Sequence, residues 1–380
     1  MATPLSRPDI TDLERQAVMQ VLRSHNLALG PKLREFEKAM ADYHGRKHAI
    51  AVNSGTSGLH LAMIALGLEP GDEVITTPFS FVASTNCILY ERGEPRFVDI
   101  DRDTWNMDLA QLDAAVTPRT RGLLPVHVFG VPCDMKAIRA FAADRGLWVV
   151  EDACEAIGAY SRDTLAGSDS DIAVLAFYPN KQLTTGEGGM VLTDDDDLAA
   201  VMRSAHNQGR APRAGWLSHE RLGYNYRMSD IQAALGLAQL SRLDEILAKR
   251  TQVARWYDER LSGHDWVRGQ TVPDGVTKSW FVYVVELDAS FGRVGRDAVL
   301  AGLRERGVGC SNYFTPIHLQ PFIRERLGTC VGDFPVTESV ADRTVALPFF
   351  SNLKETEVDG VCAALQETAA SARRRCAADR

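Results

Sequence analysis

Between residues 59 and 193, short β-prone apolar runs alternate with amphipathic helical spacing, and this alternation confines the chain to one fold class. Helical spacing covers residues 59–66, 82–91 and 135–145. Extended runs lie at 73–77, 95–98, 122–128, 147–151, 172–177 and 189–193. Most of these runs are apolar on both faces, so neither face suits water. They fit an α/β fold in which a largely parallel sheet is covered by helices on both sides.

A longer helical pattern starts at Ser229, where Ile231, Leu235, Ala238, Leu243, Ile246 and Leu247 keep helical spacing. It runs on past Arg250 toward Leu261, as a helix joining two units would. Beyond it, 280–287 reads as a strand, 297–306 as a helix and 357–368 as a last helix. The polar tail, 372–380, is expected to fray. A chain of 380 residues is too long for one ordinary core. The expected division is a large unit, 1–250, and a smaller C-terminal α+β unit, 251–380.

Composition narrows the function classes. With 45% hydrophobic and 24% charged residues, the chain is expected to be soluble and globular. No apolar stretch reaches the roughly 18 residues of a membrane span. Residues 1–12 lack the apolar run of a signal peptide. The 42 basic and 50 acidic residues give a net charge of −8, which repels phosphate polymers, so no nucleic-acid partner is expected. The seven cysteines are scattered, with no CxxC and no zinc spacing; a reduced, cytoplasmic setting without a metal is expected.

Three segments carry the chemistry. Asn53-Ser54-Gly55-Thr56-Ser57-Gly58 stands directly before a helix, where small residues and free N–H groups can cradle a phosphate. It lacks the Gly-Lys-Ser/Thr ending of a Walker loop. Trp148-Val149-Val150-Glu151-Asp152-Ala153-Cys154-Glu155 ends a buried strand in carboxylates, at the edge where open α/β sheets bind ligands. Phe177 to Gly189 places Lys181 between a buried strand and a glycine-rich turn, with no helical face to project from. A lysine partly removed from water can act as an amine nucleophile. Taken singly, each segment also fits a plain role: a capped turn, a helix-capping Asp, a solvated lysine. Together they are the parts that hold pyridoxal phosphate (PLP): a phosphate cradle, an acid for the pyridine nitrogen and an amine for the aldehyde.

The ordered segments NSGTSGL (53–59), PVHVFG (125–130), EDACEAIGA (151–159), NKQLTTGEGG (180–189) and GYNYRMSDIQAALG (223–236) resemble the sugar aminotransferases of the DegT/DnrJ/EryC1/StrS group over nearly the whole chain. The resemblance implies a fold-type I PLP enzyme, with a mostly parallel sheet of the seven-stranded type and a smaller C-terminal domain. It implies that Lys181 bonds the cofactor and, once released, shuttles a proton, while Asp152 pairs with the pyridinium nitrogen. Gly55 and Thr56 would contact the phosphate, and Phe81 would stack on the ring. Asn225 would reach the phosphate bound by a neighbouring subunit, with Arg227 close by, so a homodimer would be the minimum unit. The implied reaction moves the amino group of L-glutamate to a keto-sugar, a nucleotide-linked 4-keto-6-deoxyhexose, for polysaccharide or antibiotic biosynthesis.

Two positions depart from the family pattern. Glu155 stands where Gln or His is common, beside the cofactor's phenolic oxygen, and a carboxylate there is costly unless protonated or paired. Ala176 stands where a phosphate-binding Ser is common, leaving Ser54 or Ser57 to compensate. His127 and His318 fall in motif-like loops and fit either a pocket or a structural role. Arg203, Arg210 and Arg213 are candidates for an anionic substrate, and 208–218 and 311–320 are candidate pocket loops. Two readings compete: amination of a keto-cyclitol, and a regulatory protein that keeps the fold without turnover. Dehydrating relatives carry His where Lys181 stands, which argues against dehydration.

Overall fold

The computed structural model describes residues 2–211 and 218–378. Seven strands form the main sheet: β1 (His48–Val52), β2 (Glu73–Thr76), β3 (Glu94–Phe97), β4 (Thr120–Leu123), β5 (Trp148–Asp152), β8 (Ile172–Ala176) and β9 (Gly189–Thr193). Their order is β1-β9-β8-β5-β4-β2-β3, and only β9 runs antiparallel to its neighbours. The short strands β6 (Tyr160–Ser161), β7 (Thr164–Leu165) and β11 (Val276–Thr277) form a second sheet. A third joins β10 (Val267–Gly269), β12 (Tyr283–Leu287) and β13 (Thr344–Leu347).

The main sheet is apolar on both faces, as the runs required. Val52, Val74, Val150 and Val174 point into a core shared with the Gly55–Ala65 and Ala83–Tyr90 helices. Ala51, Ala173, Leu175 and Leu192 point the other way, onto the Pro31–His44 and Asp230–Ser241 helices. A separate core gathers Val253, Tyr257, Tyr283, Val299, Val345 and Leu365 around the third sheet. Among the described residues no helix is long and apolar enough to cross a membrane.

Four of the differences from the sequence reading matter most. The run at 122–128 is a strand only to Leu123; Pro125 follows, and a turn with Phe129 at φ 54° replaces the extended chain. The long helix from Ser229 is two helices, Asp230–Ser241 and Leu243–Leu261, with Arg242 out of helical geometry at the corner. The guanidinium of Arg242 reaches Glu14 at 2.7 Å and Asp9 at 3.3 Å. The strand expected from 280 begins at Tyr283, because the carbonyls of Trp280 and Phe281 are taken by the Arg250 side chain. The last helix runs from Glu355 to Ala378, so most of the tail expected to fray is helical.

Glu14 ties the first helix to the rest. Its buried carboxylate accepts from the Thr11 hydroxyl and N–H, from Gln239 and from Arg242. Burial alone would raise its pKa, but these donors outweigh it and lower the value from 4.5 to about 2. The unfolded chain therefore binds this proton more readily, and Glu14 adds stability above pH 4.5 that is lost as pH falls toward 2. Glu14→Gln should be less stable at pH 7, by on the order of 2 kcal/mol. The gap should narrow steadily on acidification; melting curves from pH 7 to 3 test this, and a gap independent of pH would contradict it.

Candidate active site

The C-terminal ends of β5 and β8 and the start of the Gly55–Ala65 helix open onto one cavity of about 530 Å³. Gly55, Thr56, Phe81, Asp152, Glu155 and Lys181 all line it, so six of the seven residues singled out from sequence meet in one place. The seventh, Asn225, does not. It is exposed, beyond the cavity, with its carbonyl taking a hydrogen bond from Asn53 Nδ2 at 3.3 Å.

The helix start is built by its neighbours. Ser54 is the N-cap, and its hydroxyl accepts from the N–H of Ser57 at 3.1 Å. The N–H groups of Gly55 and Thr56 have no acceptor within the helix and lie at the cavity wall. A Cβ on Gly55 would stand 2.7 Å from Ala176 Cβ and 3.0 Å from Cys154 Sγ, so glycine is what lets this terminus sit on the strand ends. The Ser57 hydroxyl bonds Asn53 Oδ1 at 2.7 Å and takes no place in the wall.

Asp152 closes β5, buried, with Oδ2 accepting from Ser84 Oγ at 2.8 Å and Oδ1 from the N–H of Cys154 at 3.2 Å. One residue earlier, Glu151 projects to the opposite side of the strand. It meets His127 Nε2 at 2.7 Å and also accepts from Gly167 N–H and Ser170 Oγ. His127 is therefore bound into the interior behind the site and is absent from the wall. His318 is likewise buried, against Glu338 and the Phe334 ring.

Lys181 follows a short turn after β8, its side chain 13% exposed. Its Nζ lies 3.4 Å from Glu155 Oε1 and 3.8 Å from the centre of the Phe281 ring. The other oxygen of Glu155 accepts from Phe129 N–H at 2.9 Å. Burial raises the Glu155 pKa, reinforced by Asp152 and opposed by Lys181 and the Phe129 N–H. The costly carboxylate anticipated from sequence thus has a partner, the amine itself.

Sequence reasoning missed Ser84, Phe281 and Tyr313. Ser84 orients Asp152 from a helix with no motif of its own. Phe281 sits in an aromatic run that reads as a buried strand. Tyr313 and Phe314 reach the wall from the 311–320 loop, which the sequence marks as a pocket loop only as a whole. Of the candidate arginines, Arg203 is engaged by Glu37 and the Ala49 carbonyl, and Arg213 lies outside the described residues.

A family model for DegT/DnrJ/EryC1/StrS aminotransferases matches residues 8–366. The chain belongs to that family. It is 41% identical to a GDP-perosamine synthase of Caulobacter vibrioides over 367 residues, covering 96% of this chain and 97% of that one. It is 39% identical to the spore coat polysaccharide biosynthesis protein SpsC of Bacillus subtilis over 374 residues, covering 96% of each. The solved PLP form of Streptococcus pneumoniae Spr1654 superposes with a TM-score of 0.92 at 25% identity, covering 98% of this chain and 100% of that one. The protein is a PLP-dependent sugar aminotransferase.

The cavity fits that cofactor on its own chemistry. It presents a helix start for a phosphate, a buried carboxylate for a ring nitrogen and a desolvated amine for an aldehyde, within one volume. Ser84→Ala removes the hydroxyl that fixes Asp152 and should weaken PLP retention about tenfold. Equilibrium dialysis of the purified chain measures this; unchanged retention would show that Asp152 needs no such support.

Proposed function

We propose that the protein transfers the amino group of L-glutamate to a nucleotide-linked 4-keto-6-deoxyhexose. The observation that carries the reading is the meeting of Lys181, Asp152 and the helix start at Gly55 and Thr56 in one cavity. The 41% identity to a GDP-perosamine synthase supports a nucleotide-linked sugar as the acceptor.

PLP, when bound, supplies an aldehyde that captures amines and a ring that draws electrons from the carbon being deprotonated. Asp152 would pair with the ring nitrogen and keep it protonated, and Ser84 Oγ holds that carboxylate in place. Gly55 and Thr56 would hold the phosphate through N–H and hydroxyl groups. Phe81, in the cavity wall and 62% exposed in the single chain, would cover one ring face. Glu155 would lie on the phenolic side, and it holds Lys181 Nζ at 3.4 Å. Lys181 Nζ takes a proton from Cα of the donor, and in the second half-reaction delivers a proton to the former carbonyl carbon of the sugar.

Asn225 lies away from its own cavity, which supports its use in that of a second copy. Leu22, Leu27, Leu29 and Leu222 are also largely exposed in the single chain. The active unit is then a homodimer with shared sites.

Purified protein given L-glutamate and such a keto-sugar should release 2-oxoglutarate in step with aminosugar. Lys181→Ala should lower the rate by about 10²–10⁴-fold. A panel with keto-cyclitols decides the acceptor: preferential amination of a cyclitol, or no 2-oxoglutarate with any sugar, would sink this assignment.

A further inference from the structure

Arg250 is buried, yet no carboxylate of the described residues bonds it. It projects from the Leu243–Leu261 helix and bonds four backbone carbonyls instead. Nη2 donates to Asn180 O at 3.2 Å and Lys181 O at 3.1 Å. Nη1 donates to Trp280 O at 3.3 Å and Phe281 O at 3.1 Å. The first pair belongs to the loop that carries the reactive amine. The second belongs to the segment whose Phe281 ring lies 3.8 Å from that amine. A flat fork with two donor edges can hold two separate chain segments at a fixed separation; an ammonium on a flexible stem cannot.

We propose that Arg250 is a positioning residue for Lys181: by locking the carbonyls of 180–181 to those of 280–281, it sets the amine against the Phe281 ring and within reach of the cofactor aldehyde. This rests on Lys181 being the cofactor-bonding residue. The bonding pattern points to placement because Arg250 is not itself in the cavity wall but holds from behind the carbonyls of Asn180, Lys181 and Phe281, which are; its hydrogen bonds join only the two segments that flank the amine, and its flat face rests 5.6 Å from the Phe349 ring centre. Gln182 adds a second tie beside the same loop. Its Nε2 donates to Glu155 O at 2.7 Å and Ser279 Oγ at 2.9 Å, so the chain is held on both sides of Lys181.

The test compares full-length parent, Arg250→Lys and Arg296→Lys. Arg296 is the control, a buried arginine whose Nη1 bonds the Ala341 and Thr344 carbonyls and whose Nε bonds Asp297, none of them in the cavity wall. PLP is added to cofactor-free chains, the covalent bond is trapped with borohydride, and peptide mass spectrometry follows attachment at Lys181 over time. Arg250→Lys is expected to slow attachment at Lys181 at least tenfold and to lower kcat by a similar factor, with KM for the acceptor within about twofold of the parent. Arg296→Lys is expected to lose melting temperature while attaching at the parental rate. Equal attachment rates in parent and Arg250→Lys would overturn the proposal. So would equal losses in the two variants at matched melting temperature. If Arg250→Lys gives no folded chain, Arg250→Gln, whose single amide can bond only one of the two carbonyl pairs, takes its place. Slower attachment then supports the proposal and an unchanged rate refutes it. If the parent itself takes up no cofactor at Lys181, the failure lies with the assignment of Lys181 and not with Arg250.

Discussion

The site depends on a close approach that only glycine permits. The Gly55–Ala65 helix begins against the last residue of β8, where an added Cβ would collide with Ala176. Gly189, the first residue of β9, makes the same approach from the next strand: a Cβ there would stand 2.8 Å from the Ser54 carbonyl. These two contacts seat the helix terminus beside the loop that leaves β8 and returns as β9, and that loop carries Lys181. The phosphate cradle and the amine are neighbours because the backbone packs this tightly. Ala176, read from sequence as a lost phosphate donor, is in the fold part of the floor under that helix.

Around the cavity the charges are unbalanced. Asp152, Glu155 and Glu187 face it, and Lys181 is the one cation in its wall among the described residues. A site of this sign tolerates an ionised acid only where something answers it, and each inner acid has its own answer. Asp152 is held by a hydroxyl and an N–H, and Glu155 by an N–H and the lysine. The lysine in turn lies on a ring face and not in water. The amine is thereby kept at the wall by one attraction from the side and one from below.

The α/β class and the position of most strands could be read directly, because runs such as 147–151 and 172–177 are too apolar to lie anywhere but a doubly covered sheet. The carboxylate at 152 and the amine at 181 stood out since each follows closely on the end of such a run. What could not be read was whatever depends on contacts distant in sequence. No glycine or proline marks the corner at Arg242, so its helical spacing runs on unbroken; the break accompanies acids more than 200 residues away. Ser84 looks like any small helix residue until Asp152 is folded onto it. The strand expected at 280 starts late because an arginine side chain competes for its carbonyls. Periodicity reports which face is dry; it does not report which polar partner claims a backbone atom.

Strand β5 carries two adjoining acids with opposite duties. Glu151 is sealed against His127 on one side, and Asp152 looks into the cavity on the other. Because neighbouring residues of a strand alternate in direction, the pairing of Val150 with Ile172 decides which acid goes where. Sliding β5 along β8 by a single position would present the wrong carboxylate to the ligand and strand a histidine without its counter-ion. The ladder between these two strands therefore acts as an alignment gauge, and small changes in side-chain size along it would be felt first as a misplaced acid.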